Sequence, residues 1–598
     1  MEDETESQTE AVLRRRDGAV LNKDCILKGD HFPKLHHLKD CPIEGAPNFR
    51  LAYPTAEAAP GKHGHWRVYG LAQPTKAAIS KVLEYVNNET EGGAGIIWIN
   101  ARAEPVVYIN GLPYSVKNRA DPFTHLQFAN GDPNQPLEKE EVLARDVLQE
   151  ASEHKRKVLV HEEDAGVFPK WITLTEVLTT KEVFDRLGNE FTARTKQKFE
   201  FLRWPVNDEQ VPWERRFEEL ERKFSKLKGR PMVVVCNCHQ GRGRTTTAMV
   251  LAHMLLDPIF REFDADPESG PTRLDMTGPD PEAMPDRWVR PLIEHVPGGQ
   301  EAKATADAYI SKHTTLIDLK YIVQKKYDEL MPESPDHRRA QAQFVYYMER
   351  YAYLVLFAAY LLEGGTKSFK DWMWELHGRN NVYTHLKRCE DVVRQDVKQM
   401  LGSELMPWEW EAPKPEDAGY IGSDEGVVWR WNKEALEYIE SFIVTTKEPM
   451  TWGQGKRYFE FQVNRIGGDQ SYGVCTDKGQ SGAKREDALF APRYCYCHHG
   501  RMLGHDESCV STGCAVKTND VIGMLVDMDK SIITFMLNEV VQGRLPVVQQ
   551  PLYIFVQFIA CRDSIELTEK PLKSVPEAAW HTDKAPAPPP LAVKSSKL

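Results

Sequence analysis

Short apolar runs alternate with amphipathic stretches through the first part of the chain. Gly95–Asn100 (GIIWIN) and Pro105–Asn110 (PVVYIN) have the length of strands, and the second ends in the turn pair Asn110-Gly111. Lys157–His161, Lys198–Val206 and Met232–Val235 read as further strands. Between them, Lys76–Asn87, Glu138–Arg156, Thr175–Leu187 and Trp213–Lys228 carry apolar residues at helical spacing. Trp213–Lys228 also holds Glu-to-Lys/Arg pairs that suit a solvated face. This alternation predicts an α/β domain. Thr305–Tyr327, Gln341–Leu362 and Ser368–Leu386 then read as a helical extension. From about Val427 the pattern changes to short strands between turns. Tyr458–Val463, Ser471–Cys475, Val521–Met528, Ile532–Leu537, Pro551–Phe558 and Ser564–Leu567 are the clearest, and their spacing predicts an all-β antiparallel sandwich.

A multidomain organisation follows. Residues 1–19 read as a disordered N-terminus, 20–390 as the α/β domain with its helical extension, and 391–426 as a linker. Residues 427–568 read as the sandwich and 569–598 as a Pro/Lys-rich disordered tail. Phe263–Arg287, rich in Pro, Gly and Asp, is expected to be a surface loop, and Ala585–Leu591 (APAPPPL) a solvated polyproline II stretch. The 598 residues are 41% hydrophobic and 27% charged, a soluble globular composition. A net charge of −12 leaves no global basic field for nucleic acid. The opening MEDETESQTE lacks the apolar core of a signal peptide, and Tyr351–Leu362 is too short to span a bilayer, so no transmembrane segment is expected. Eleven irregularly spaced cysteines fit a reducing, cytoplasmic compartment better than a disulfide framework.

The chemistry concentrates in VVVCNCHQGRGRTTTA, Val233–Ala248. It reads as strand, turn and helix start, with Cys238, five residues and Arg244. Such a loop turns its backbone N–H groups inward, and the helix dipole adds to a cradle for phosphate. His239, Gln240, Gly241, Arg242 and Gly243 would line that cradle, the glycines permitting its tight backbone. A thiol at its base is a candidate nucleophile, because positive potential favours the thiolate. Arg244 is placed to bind two phosphate oxygens with its planar fork. Thr245 is expected to offer its hydroxyl to the sulfur and to cap a helix over about Thr246–Leu256. A second Cys-x5-Arg, Cys495–Arg501, has one glycine, no Ser or Thr after it and no helix signal, and is rejected as a site.

Two family resemblances rest on spread blocks of residues. ILKGDHFPK (Ile26–Lys34), EGAPNFR (Glu44–Arg50), VYGLAQPT (Val68–Thr75), IIWINARAEPVVYINGLPY (Ile96–Tyr114), RWPVND (Arg203–Asp208), CNCHQGRGRTTT and RYAYLVLFAAYLLEGGTKSFKDW (Arg350–Trp372) resemble a paladin unit, within the protein-tyrosine-phosphatase-like phytases. GKRYFEFQV (Gly455–Val463), SYGV (Ser471–Val474), NDVIGMLVDMDKSIITFMLNEVVQG (Asn519–Gly543) and PLYIFVQF (Pro551–Phe558) resemble an SPRY domain. The first resemblance implies a cysteine phosphatase acting on inositol phosphates or phosphoinositide headgroups. The second implies a β-sandwich that binds a protein or peptide through its loops.

A thiolate nucleophile expels an oxyanion that needs a proton, so a general acid is expected on a neighbouring loop. Asp208, after a strand and thirty residues before Cys238, is the candidate, and the resembling family supplies its acid from this position. Glu209 is the fallback, and an ordinary Asn-Asp turn the plain alternative. Attack by Cys238, protonation by Asp208 and hydrolysis of a phosphocysteine need no metal and no cofactor. Arg242 either faces a highly phosphorylated substrate or points to solvent. Arg102 and Glu104 match a family pattern near the site, with little in the sequence to assign them a role. Cys236 is expected to be a buried strand residue, with an oxidative link to Cys238 as the alternative. Cys495, Cys497, His498, His499, His505, Cys509 and Cys514 fit no standard zinc spacing and read as coincidental loop thiols and imidazoles. An inactive phosphate-binding scaffold and a protein-tyrosine phosphatase remain as alternative functions.

Overall fold

The computed structural model describes residues 2–31, 38, 42–52, 67–119, 122–123, 135–163, 166–208, 210–226, 232–264, 286–328, 337–383, 385–386, 388–389, 421–424, 427–430, 442–446, 449–450, 455–466, 470–476, 493–504, 509–548, 550–558, 564–570, 574–576 and 579. The chain forms two compact units, Met1–Gly402 and Ser403–Leu598.

The first unit begins with α1 (Glu2–Arg15), β1 (Cys25–Gly29), β2 (Arg50–Leu51), β3 (Arg67–Leu71), α2 (Lys76–Glu89), β4 (Gly95–Arg102), β5 (Val106–Ile109) and β6 (Leu112–Asn118). It continues through α3 (Gln135–Glu153), β7 (Lys157–Glu163), β8 (Val167–Thr173), β9 (Val177–Thr179), α4 (Thr180–Thr195), β10 (Phe199–Val206), α5 (Glu214–Ser225) and β11 (Met232–Asn237). The helices α6 (Gly243–Asp264), α7 (Asp286–Ile293), α8 (Gly299–Ser311), α9 (Tyr321–Asp328), α10 (His337–Leu362) and α11 (Phe369–Asn380) follow.

Among the described residues one sheet has the order β10-β4-β11-β3-β2. Its first four strands are parallel, and β2 is antiparallel at the edge. The side-chain period of two sorts its faces. Ile97, Ile99, Val234 and Cys236 face a core shared with α5, α6 and the helical extension. Ile96, Trp98, Val233 and Val235 face α2 and α4. With both faces covered, β11 is apolar at nearly every position and needs no polar alternation. The second sheet, β8-β7-β1-β6-β5-β9, is mixed and packs its apolar side on α3.

Several expectations are corrected. The N-terminus read as disordered holds α1, because Leu13 packs with Ile26 and Leu159. Just beyond it, buried Arg16 donates to Glu150 at 2.7 and 3.1 Å. The helix expected over Thr175–Leu187 is a strand and then a helix. Val177–Thr179 pair with β5, and a Thr179/Glu182 capping box starts α4. The helix expected over Thr305–Tyr327 divides into α8 and α9, since Asp318 Oδ1 accepts from the backbone N–H of Lys320 (2.8 Å) and Tyr321 (3.4 Å) and opens a new helix. Most of Phe263–Arg287 lies outside the described residues, as does Ala585–Leu591.

The second unit, among its described residues, is built of antiparallel strands. They are β12 (Ile421–Asp424), β13 (Val427–Arg430), β14 (Phe442–Thr445), β15 (Lys456–Arg465), β16 (Gln470–Cys475), β17 (Arg493–Cys497) and β18 (Arg501–Leu503). Then come β19 (Cys509–Thr512), β20 (Val521–Asp527), β21 (Ile532–Leu537), β22 (Val540–Pro546), β23 (Tyr553–Phe558) and β24 (Ser564–Lys570). They make two sheets, β12-β13-β24-β15-β20-β21-β22 and β14-β23-β16-β17-β18-β19. Phe459, Met524 and Phe535 of the first meet Tyr472, Tyr496 and Val556 of the second in one apolar core. The stretch read as linker contains β12, which pairs with β13. The stretch read as tail begins inside β24, and its Val575 and Ala579 pack against Tyr458, Leu525 and Met536. The rejected Cys495–Arg501 motif lies across the β17–β18 hairpin.

Candidate active site

Parallel strands end together, so the loops after β3, β4, β10 and β11 converge at one edge of the first unit's parallel sheet, where such sheets commonly hold ligands. The β11 loop carries Cys238, which is buried. Gly241 adopts φ +73°, and a Cβ there would meet Ala72 N at 2.5 Å. Only glycine fits this approach. The loop is tied from outside: Gln73 N–H donates to His239 O (2.9 Å) and Asn48 Nδ2 to Gln240 O (2.8 Å). Among the described residues, the backbone N–H groups of Gln240, Gly241, Arg242 and Gly243 donate to no protein acceptor. Inward N–H groups at the start of a long helix are chemically suited to an anion. Gln240 is exposed and Arg242 half-buried at the rim.

Helix α6 starts at Gly243, earlier than expected, which places Arg244 in its first turn. Arg244 is nearly fully buried. Its Nη1 donates to Glu104 Oε2 (2.8 Å) and Val206 O (3.0 Å), and its Nη2 to Glu104 Oε1 (3.0 Å). Its Nε lies 3.2 Å from Oδ1 of half-exposed Asp208. Burial works against the arginine's charge, but Asp208 and Glu104 more than offset it and its pKa is raised. Thr245 is corrected. It lies inside the helix and caps nothing, and its hydroxyl donates to Leu71 O (3.3 Å). Thr246 Oγ1 accepts from Arg50 Nη2 (3.0 Å). Burial pulls Arg50 down to about 10, while the neighbouring thiols of Cys238 and Cys236 act the other way. Cys236 is fully buried, and burial pushes its thiol pKa up.

Behind the loop runs a chain of buried charges. Arg102 Nε donates to Glu104 Oε1 (2.8 Å), and its Nη1 to Asp30 Oδ2 (2.7 Å) and Gln73 Oε1 (3.2 Å). Ser115 donates to Asp30 Oδ1 (3.0 Å), and His239 Nε2 lies 3.2 Å from the same oxygen. Burial alone would raise Asp30, yet Arg102 and His239 hold it well below the usual carboxylate range. Burial pushes His239 down, with Asp30 opposing. Buried Lys117 is pulled by desolvation to about 7, again against Asp30.

Cys238, Arg244, Asp208 and the loop residues are thus brought to one place. Sequence reasoning gave Glu104 little weight and assigned nothing to Asp30, Arg50 or Asn48. The signal for Glu104 was the opposite-charge pair in ARAEP at the end of an apolar strand. Glu209 and His505 lie outside the described residues. In the second unit, Cys475, Cys495 and Cys497 pack with Phe555. Among the described residues no group of three or more His, Cys, Asp or Glu is placed to hold a metal.

Residues 99–256 match the PTP-like phytase family model, described by inositol hexakisphosphate. Over these residues the chain is similar to PTP-like phytases, and its domain there is cysteine-phosphatase-like. The chain is also similar to paladins. The Xenopus tropicalis paladin is 25% identical over 336 residues, which are 54% of this chain and 37% of that protein. The Homo sapiens paladin is 26% identical over 333 residues, 53% of this chain and 35% of that one. The match therefore spans little more than a third of these relatives. A solved PTP-like myo-inositol phosphatase from Mitsuokella multacida, in complex with myo-inositol-(1,3,4,5)-tetrakisphosphate, aligns with 60% of this chain and 48% of its own at 15% identity and TM-score 0.36. A human SPRY domain aligns with 25% of this chain and 94% of its own at 15% identity and TM-score 0.21.

Proposed function

We propose that the chain is a cysteine-dependent phosphatase of phosphorylated inositols, with a second unit that binds a protein partner. The carrying observation is the state of Arg244. Glu104 and Val206 take up one end of its guanidinium and leave the edge with Nε turned toward Asp208, beside loop N–H groups that donate to no acceptor among the described residues. A planar fork held rigidly in this way is a preorganised receptor for a phosphoryl group.

In this reading the Cys238 thiolate attacks phosphorus and the bond to the leaving oxygen breaks. Asp208 gives that oxygen its proton. A phosphocysteine forms, and water then cleaves its S–P bond to release inorganic phosphate. Arg244 and the loop amides carry the charge on the non-bridging oxygens throughout. Asp208 Oδ1 now faces Arg244 Nε where a phosphoryl oxygen would bind, so substrate displaces it toward the leaving group. No metal or cofactor enters the scheme. The family description and the SPRY-like sequence landmarks support the substrate class and the binding role. A reducing, cytoplasmic location belongs to this reading, on the irregular spacing of the eleven cysteines.

The test is phosphate release from inositol hexakisphosphate, soluble phosphoinositides and phosphotyrosine peptides, with Cys238→Ser as control. Release from the inositol compounds that disappears in the variant carries the reading. Preference for the peptides would make it a protein phosphatase. Binding without release would make it a scaffold.

A further inference from the structure

The helical extension reaches the site through one face of α10. Arg350 Nη2 donates to Gln210 O (2.7 Å), and Tyr353 Oη to Glu214 Oε1 (2.6 Å). Phe357 packs on Phe217, with ring centroids 5.2 Å apart, and Tyr360 hydrogen-bonds Glu221. The spacing three, four, three along α10 is a single helical stripe. It meets the segment from Gln210 through α5 in the same chain order, like a rail.

The first rung has a special position. Gln210 closes a tight turn with Asn207: its N–H donates to Asn207 O (3.3 Å), and Asn207 Nδ2 donates to Gln210 Oε1 (3.3 Å). Asp208 is carried on this turn. On its other side the Arg350 guanidinium lies against the phosphate loop, where a Cβ on Gly243 would meet Nη1 at 2.6 Å. Arg350 is almost fully buried and stacks over Tyr347, 5.1 Å from the ring centroid.

We infer that Arg350 is a positioning residue for the general acid, fixing the Asp208 turn against the phosphate loop. This rests on the phosphatase reading above. An arginine suits the task because one nitrogen of its rigid fork can hold the Gln210 carbonyl while another reaches the loop at Gly243 and its face covers Tyr347.

The experiment compares two leaving groups in the full chain. An inositol alkoxide needs a proton to depart, whereas p-nitrophenolate leaves as the anion. Arg350→Met is expected to lower kcat/KM on an inositol phosphate about 100-fold, the size of a general-acid contribution. On p-nitrophenyl phosphate the loss should stay within about fivefold. Added to Asp208→Asn, it should cause little further loss on the inositol phosphate, because both act through one proton. Arg350→Lys keeps the charge but not the fork, and should show the same asymmetry at smaller size if the methionine variant does not fold. Equal losses on both substrates, or full additivity with Asp208→Asn, would overturn the inference. Wild-type turnover lost in Cys238→Ser decides the phosphatase reading separately; without any wild-type turnover both fall.

Discussion

Glu104 grips Arg244 end-on, one carboxylate oxygen at 2.8 Å from Nη1 and the other at 3.0 Å from Nη2. Both side chains are almost wholly buried. Glu104 also accepts from Arg102, so it holds two arginines apart and in place. Glu104→Gln keeps the shape, removes the charge and turns an amide N–H toward guanidinium donors. Breaking one partner of a buried pair should lower unfolding free energy by about 3 kcal/mol. Phosphate release should fall at least about 100-fold. Urea unfolding and kcat/KM on an inositol phosphate measure the two effects, and a stable, fully active variant would contradict them.

Asp208 competes with any anion for the Nε edge of Arg244, 3.2 Å away. Asp208→Asn removes that competitor while slowing turnover. It should bind inorganic phosphate about three- to tenfold more tightly than the wild type, a modest gain because Asp208 is half-exposed. Titration calorimetry reads this directly. An unchanged dissociation constant would mean that the carboxylate does not guard the arginine.

Two glycines with positive φ separate strain from collision. At Gly241 (φ +73°) a Cβ would meet the Ala72 and Leu71 backbone within 2.6 Å. At Gly298 (φ +62°) it would meet nothing within 4 Å. Gly298→Ala should cost about 1 kcal/mol from the left-handed backbone and leave phosphate binding intact. Gly241→Ala carries the same strain plus a contact with fixed main chain. It should cost at least about 2 kcal/mol and abolish phosphate binding. Equal behaviour of the two variants would refute the close-approach argument.

Lys117 ties stability to pH. Burial lowers its pKa from 10.5 to about 7, so between these values the unfolded chain holds a proton that the folded chain has lost. Stability must therefore rise with pH across this window, and fall away as pH drops toward about 7. Compared with Lys117→Met, the wild type should gain about 1 kcal/mol of unfolding free energy per pH unit between pH 7.5 and 9.5. Parallel curves from urea unfolding at several pH values would remove Lys117 as the source.

Local chemistry made much of this architecture legible. A run such as Met232–Asn237 is strand-like because both its faces are covered, and Cys-x5-Arg announces itself because a phosphate loop has little freedom in length. That Asp208 lies near Arg244 was within reach of the sequence, because it stands on the loop after a strand. What escaped depended on distant partners. Asp30 follows an apolar strand, and nothing nearby in sequence says that Arg102 and His239 will close on it. The earlier start of α6 follows from the turn at Gly241, which delivers Arg244 already helical and leaves Thr245 too deep to cap. Residues 2–15 looked too polar to order, yet Leu13 and neighbouring Arg16 suffice to anchor α1 to the mixed sheet.

The bonds around Cys238 and Arg244 join residues far apart in the chain. Arg102 and Asp30 are 72 residues apart, Arg244 and Glu104 are 140, Arg350 and Gln210 are 140, and Arg50 and Thr246 are 196. Closing such loops is entropically costly and slow, so these contacts belong late in maturation. During synthesis the ribosome releases Cys238 well before α10 exists to brace the turn after β10. A nascent chain at that stage bears the thiol before the residues that brace the neighbouring turn have been made.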